Sequence, residues 1–200
     1  MTRIVTGLIV TALRERKRNR VAVELDGRPW RVLPADAVVR AGLATGRPLD
    51  RHTARELARE IRRARALAQA TRTLATSGRS RQELERRLAR AGHGDAAREA
   101  ALATLDRAGL VDDARLAESR AELLARRGYG DAAIRADLRR RLIAAETAAA
   151  AVASLEPELD RARRLVTGES VTPALLRRLA GRGFSRDTLD ELAASFALEA

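Results

Sequence analysis

The stretch Arg79–Gly92, RSRQELERRLARAG, decides the fold. Ser80 stands three residues before Glu83. That is the capping-box spacing, in which each side chain satisfies the other residue's free backbone N–H. Leu84 and Leu88 then share one helical face, and Gly92 suits a left-handed helix end. The stencil recurs at Ile134, Leu138 and Leu142, and again at Leu175, Leu179 and Gly183. Three short helices with one spacing predict one supersecondary unit used three times.

Upstream of this stretch, Asp50 or Thr53 caps a helix, Thr53 and Glu56 having capping-box spacing. Its expected apolar stripe is Leu57, Ile61, Ala64, Leu67, Ala68 and Leu74, with Gly78 closing it. Downstream, Gly94-Asp95 restarts the chain, and Ala101, Leu102 and Leu105 share a face up to Gly109. Asp112 is expected to cap the next helix, carried by Leu116, Ser119, Leu123 and Leu124 to Arg127. Gly128-Tyr129-Gly130 turns the chain, and Asp131 caps the helix of Ile134 and Leu138. Leu142 stands where the stencil has glycine, so the helices on either side are expected to be fused, or parted only by a kink near Ala144. Pro157 marks the next boundary. Leu159, Ala162 and Leu165 precede Thr167-Gly168, Thr172-Pro173 opens a helix, and Ser185 caps the last one through Leu189, Leu192 and Phe196.

The N-terminal part reads differently. Residues 3–13, RIVTGLIVTAL, are β-branched and apolar and predict a strand rather than a signal peptide, since no small-residue cleavage site precedes the basic run. Arg14–Arg20 is expected as a charged hairpin tip, Val21–Leu25 as a second strand, Asp26-Gly27 as a hairpin turn and Trp30–Leu33 as the return strand. A short helix follows Pro34 to about Arg40. The expected architecture is mainly α. An elongated tandem array of three three-helix repeats (residues 53–111, 112–155 and 156–200) follows a small basic β-hairpin-containing module, residues 1–52.

The totals agree with helices. Hydrophobic residues make up 46% of the 200, yet aromatics are only 2%, so Leu and Ala must build the core. There is no Cys, hence no disulfide or thiolate chemistry. No run approaches the roughly 20 apolar residues that span a bilayer, and a cytoplasmic, monomeric protein is the expectation. Of the net charge of +12, residues 1–65 carry +9, whereas residues 156–200 carry −1. Arg-for-Lys usage follows composition, Lys17 being the only lysine, but composition does not explain that gradient. A polyanion would be drawn most strongly to the N-terminal third.

Catalytic signatures are weak. His52 and His93 form no recognisable metal or triad pattern, Lys17 follows no Gly-rich loop, and Asp112-Asp113 reads as a helix cap before it reads as a metal site. No cofactor is expected, and the chain is read as a non-enzyme. The remaining candidates for partner or DNA contact are basic. They are Arg16, Lys17, Arg18 and Arg20 in the N-terminal module, and Arg86, Arg87 and Arg90 on the first template helix. Arg126 and Arg127, then Arg139, Arg140 and Arg141, and finally Arg177, Arg178 and Arg182 lie on or beside the later ones. Each cluster alone is an ordinary solvated helix face. Their recurrence suggests a surface for a repeating acidic partner. Trp30, Tyr129, Phe184 and Phe196 are too scattered to form a base-stacking platform.

These residues resemble the RecX family, bacterial regulatory proteins that modulate the RecA recombinase. The hairpin region through Leu25-Asp26-Gly27 carries part of the likeness, and Arg79-Ser80, Glu83-Leu84, Leu88 and Gly92 carry its most characteristic stretch. Leu110–Ala117, LVDDARLA, matches the family's Asp-Asp segment, with Leu116 where an aromatic is usual. Gly128–Gly130 and Ile134–Leu138 match the next. The resemblance implies a modular helical array that binds in the groove of the RecA–DNA filament. There it would block filament extension and damp ATP hydrolysis, strand exchange and coprotease activity. Direct DNA contact, if made, would be non-sequence-specific. The competing reading is an autonomous DNA-binding protein using helix-turn-helix-like modules.

Overall fold

The computed structural model describes residues 8–166 and 171–198, with side chains described as far as Ser195. Ile4–Gly7 of the first strand, Thr167, Gly168 and the Phe196 side chain lie outside the described residues. The described chain is mainly helical, headed by a four-stranded antiparallel sheet, and divides into two compact units. One comprises residues 1–76 and 85–110, the other residues 77–84 and 111–200.

In the first unit, β1 (Leu8–Arg16), β2 (Arg20–Leu25), β3 (Arg28–Pro34) and the two-residue β4 (Pro48–Leu49) form a sheet of order β3-β2-β1-β4. Asp26 and Gly27 take φ of 49° and 75°, the pair of positive values that a tight hairpin turn requires. The Asp26 carboxylate also accepts the Ile9 N–H at 2.8 Å, which holds the turn against β1. The first hairpin tip is shorter than expected. Arg14 and Arg16 belong to β1, opposite Ala22 and Arg20, and only Lys17–Asn19 turn. A ladder needs backbone groups alone, so the arginines extend the strand while their side chains stay exposed.

Alternation in β2 buries Val21, Val23 and Leu25 with Val10, Leu33, Val38, Leu43 and Leu57. Helix α1 (Ala35–Arg40) and the long α2 (Arg51–Thr76) close over this core. Asp50 caps α2: its carboxylate accepts the Thr53 N–H at 2.7 Å, which lowers its pKa. Thr53 is itself a buried helical residue, so the Thr53/Glu56 box does not form. The expected stripe on α2 holds at Leu57, Ile61, Ala64, Leu67 and Leu74, which are buried or half-buried, but fails at one position. Ala68 is exposed, while Glu60, Ala66 and Ala70 are buried. Helix α4 (Asp95–Arg107) approaches this alanine face through Ala97 and Ala101. Small side chains bring the two backbones close, and that contact sets the register.

Helix α3 (Arg81–Arg90) realises the template. Ser80 Oγ accepts the Glu83 N–H at 3.2 Å, and Glu83 accepts the Ser80 N–H at 3.2 Å. Gly92 ends the helix at φ 81°, with the His93 N–H donating to the Leu88 carbonyl. Leu84 and Leu88 are fully buried.

In the second unit, α5 (Asp113–Arg126), α6 (Asp131–Arg140) and α7 (Ala145–Ala153) share a core that includes Ala117, Ala121, Leu124, Ile134, Leu138 and Val152. Helices α8 (Glu158–Leu165), α9 (Pro173–Gly181) and α10 (Arg186–Leu198) share another, with Leu175, Leu179, Phe184 and Leu192. Asp112, Thr172 and Ser185 cap as expected, accepting the N–H groups of Arg115, Leu175 and Thr188. Asp131 does not cap. Gly130 holds that position, and Asp131 is the first helical residue. On α5, Ser119 and Leu123 face solvent, because Ala117 and Ala121 take the packed stripe.

Helices α6 and α7 are separate rather than fused. Leu142 adopts the left-handed conformation at φ 59°, and the Ile143 N–H donates to the Leu138 carbonyl. This is the glycine-type helix end made by a residue that pays for its Cβ, roughly 1–2 kcal/mol. The turn presents the Arg141 carbonyl to the Ser80 hydroxyl at 2.6 Å, so one buried serine serves both its own helix and this one. Leu142→Gly is expected to stabilise the chain by about 0.5–1 kcal/mol, part of the relieved strain being offset by glycine's entropy and lost contact. Urea denaturation checks it, and a lower midpoint would count against the assigned strain.

Candidate partner-binding surface

The basic residues singled out by sequence lie mostly at the surface. Arg16 closes β1, Lys17 and Arg18 form the tip, and Arg20 opens β2; all four are exposed. Arg18 and Asn19 turn at φ 62° and 54°, and the Arg20 guanidinium donates to the Val32 carbonyl at 2.6 Å. Arg86, Arg87 and Arg90 are exposed on α3, the Arg90 Nε donating to the Arg86 carbonyl. Arg127 and Arg139 are exposed at the ends of α5 and α6, and Arg177 and Arg178 on α9. Arg182 follows α9, and its carbonyl accepts the Gly130 N–H.

Several of the candidates are held by carboxylates. Arg126 pairs with Glu122 at 3.1 Å. Arg140 and Arg141 both reach Asp137, at 3.2 Å each, and Arg120 reaches the same carboxylate at 2.8 Å. The Arg139–Arg141 run is therefore two exposed arginines, Arg139 and Arg140, of which Arg140 joins Arg141 in an ion-pair hub. The hub needed Arg120, nineteen positions before Arg139, which no local pattern links to it.

The Arg120 hydrogen bond, with those of Arg140 and Arg141, holds the Asp137 carboxyl at about 2 against an ordinary 3.8, despite burial that opposes ionisation. The same bond raises the Arg120 pKa. A carboxyl whose pKa is lower folded than unfolded binds fewer protons in the native state. Its stabilisation, about 2 kcal/mol, is fully present above about pH 4 and is lost as pH falls towards 2. Asp137→Asn is expected to flatten stability across that window. Urea midpoints taken through it test this, and an unchanged acid slope would contradict it.

A second network also escaped sequence reasoning. Arg161 on α8 is only 5% exposed. Its Nε donates to the Glu156 carbonyl at 2.9 Å, its Nη1 to the Tyr129 carbonyl at 3.0 Å, and its Nη2 pairs with the Asp131 carboxylate. Glu158 accepts the Asp131 N–H at 2.6 Å, the Ser185 N–H at 3.1 Å and the Thr188 hydroxyl at 2.9 Å. Burial alone would raise the Glu158 pKa, but these bonds and the Ser185 side chain outweigh it and lower it.

Metal chemistry finds no seat among the described residues, where no three His, Asp or Glu cluster. Asp112 and Asp113 are each spent on a backbone donor, Arg115 N–H and Arg81 N–H. His93 Nε2 lies 2.9 Å from Gln69 Oε1. No described helix is long and apolar enough to cross a membrane.

These features define a mainly helical protein with an N-terminal antiparallel sheet and exposed arginines in each of its two units. Residues 112–152, almost all of α5–α7, match the family model of the second three-helix domain of RecX. The chain is 38% identical over 120 residues to Regulatory protein RecX of Stenotrophomonas maltophilia (strain R551-3), covering 55% of this chain and 74% of that protein. The chain belongs to the RecX family. Its fold is similar to a crystal structure of regulatory protein RecX, with a TM-score of 0.79 at 18% identity, over 92% of this chain and 98% of that one. It is also similar to RecX from Lactobacillus salivarius, with a TM-score of 0.61 at 19% identity, over 68% of this chain and 97% of that one.

Proposed function

We propose that this chain is a non-enzymatic, cytoplasmic regulator of the RecA recombinase, acting as a monomer without a cofactor. It binds in the groove of the RecA–DNA filament and bridges several protomers. There it limits filament extension and with it ATP hydrolysis, strand exchange and coprotease activity. The observation that carries this reading is the 38% identity to a regulatory protein RecX over 74% of that protein's length. Separate small cores around Ile134 and Leu138, and around Leu175 and Leu179, favour consecutive modules at 112–155 and 156–200, whereas Leu57 shares the core of the sheet, so the expected modules 1–52 and 53–111 are joined through α2. Modest contacts on successive modules of one chain combine through effective concentration, which suits a polymeric target. Exposed arginines such as Arg87, Arg127, Arg139 and Arg177 are the candidate contacts on those modules. The test adds the protein to RecA on single-stranded DNA in substoichiometric amounts. ATP turnover is expected to fall; unchanged turnover would refute the reading.

A further inference from the structure

The first unit contains an open cleft of about 1030 Å³ that the family assignment does not explain. One wall is the β1–β2 tip, with Lys17, Arg18 and Arg20. The facing wall is the second half of α2, with Arg65 and Arg72. Among the described residues no ion pair engages any of these five cations, whereas Arg126, Arg135, Arg140, Arg141 and Arg164 of the other unit are all paired. Asp36 is the one carboxylate in the lining, and the Asn19 amide donates to it. The floor between the walls is apolar, formed by Pro34, Leu67, Ala68 and Ala91.

We infer that this cleft holds the sugar–phosphate backbone of a single-stranded nucleic acid. Two properties choose that occupant over an acidic peptide or a duplex. The cleft offers donors from both walls and few free acceptors, its Gln69 oxygen already facing His93. A phosphodiester chain has only acceptors to satisfy along its backbone. A peptide brings a backbone N–H at nearly every residue, and buried donors without partners are costly. The apolar floor, in turn, suits the sugar and base surface that an unpaired strand exposes and a stacked duplex hides. No Phe, Tyr or Trp lines the cleft, and its His93 ring is engaged with Gln69, so binding is carried by charge, independent of sequence and strongly salt-dependent.

The test uses the full chain alone, without RecA, so its outcome is separate from that of the filament reading. Anisotropy of labelled oligothymidylate is followed across salt concentrations, beside a duplex of the same length and polyglutamate. Single-strand binding is expected to be tightest. Five engaged phosphates would give a slope of log affinity against log salt of about −3.5. Arg65→Ala with Arg72→Ala, helix-compatible changes, are expected to make that slope shallower by about 1.4. Lys17→Ser with Arg18→Asn act on the other wall, Asn tolerating the positive φ at 18, and are expected to do the same. Arg115→Ala with Arg186→Ala remove as much charge elsewhere and are expected to leave the slope unchanged. Circular dichroism confirms that each variant is folded. Tighter binding of polyglutamate or duplex would overturn the inference, as would equal slopes for cleft and control variants.

Discussion

Arg161→Met is expected to destabilise the second unit by about 3 kcal/mol or more, because it removes one partner from a buried ion pair. Methionine fills much of the same volume but donates nothing. The Glu156 and Tyr129 carbonyls and the Asp131 carboxylate would each lose a donor. Water cannot replace them readily at a site where the arginine is only 5% exposed. Arg135, 3.3 Å from Asp131, retains part of the charge compensation, which keeps the cost from rising further. Urea unfolding followed by circular dichroism measures the loss. Adding Asp131→Asn is expected to recover part of it, since the orphaned charge is then gone. A loss below about 1 kcal/mol would mean that the network is decorative.

Gly130→Ala is expected to cost about 3 kcal/mol or more by a different route. Gly130 has an ordinary φ of −81°, so its need for glycine is spatial. Its N–H donates to the Arg182 carbonyl at 3.0 Å, and the Ala132 N–H donates to the Gly183 carbonyl at 3.1 Å. A Cβ at Gly130 would lie 2.3 Å from the Phe184 nitrogen and 2.4 Å from the Gly183 carbonyl carbon. Those are backbone atoms, with no flexible end to swing aside. Gly181 gives the contrast: it ends α9 with nothing within 4 Å of an added Cβ. Gly181→Ala is expected to be neutral or stabilising by up to about 1 kcal/mol. Similar unfolding midpoints for the two alanine variants would contradict the close approach.

Local signals were legible in the sequence because they are satisfied within a few residues. The Ser80/Glu83 box, the caps at Asp112, Thr172 and Ser185, and the Asp26-Gly27 turn all formed where their spacing placed them. Helix faces rich in alanine were harder to read. Alanine adds little to an apolar stripe but permits the closest packing, so Ala66, Ala117 and Ala121 took buried positions while Ala68 and Leu123 stayed out. Leu142 shows the reverse case, a residue of the wrong type held in a left-handed turn by its surroundings. Of the candidate surface, the arginines were visible, but their partners were not. Asp137 gathers Arg120 from another helix, and Arg65 and Arg72 face the hairpin tip only once the sheet has folded beside α2.

Co-sedimentation with RecA filaments decides whether the protein engages the assembled recombinase. The full chain is mixed with RecA assembled on single-stranded DNA, with unassembled RecA and with the DNA alone. The protein is expected to pellet with filaments at far less than one copy per protomer and to slow their extension. A protein that stays in the supernatant with filaments present, while their extension proceeds unchanged, would contradict that engagement.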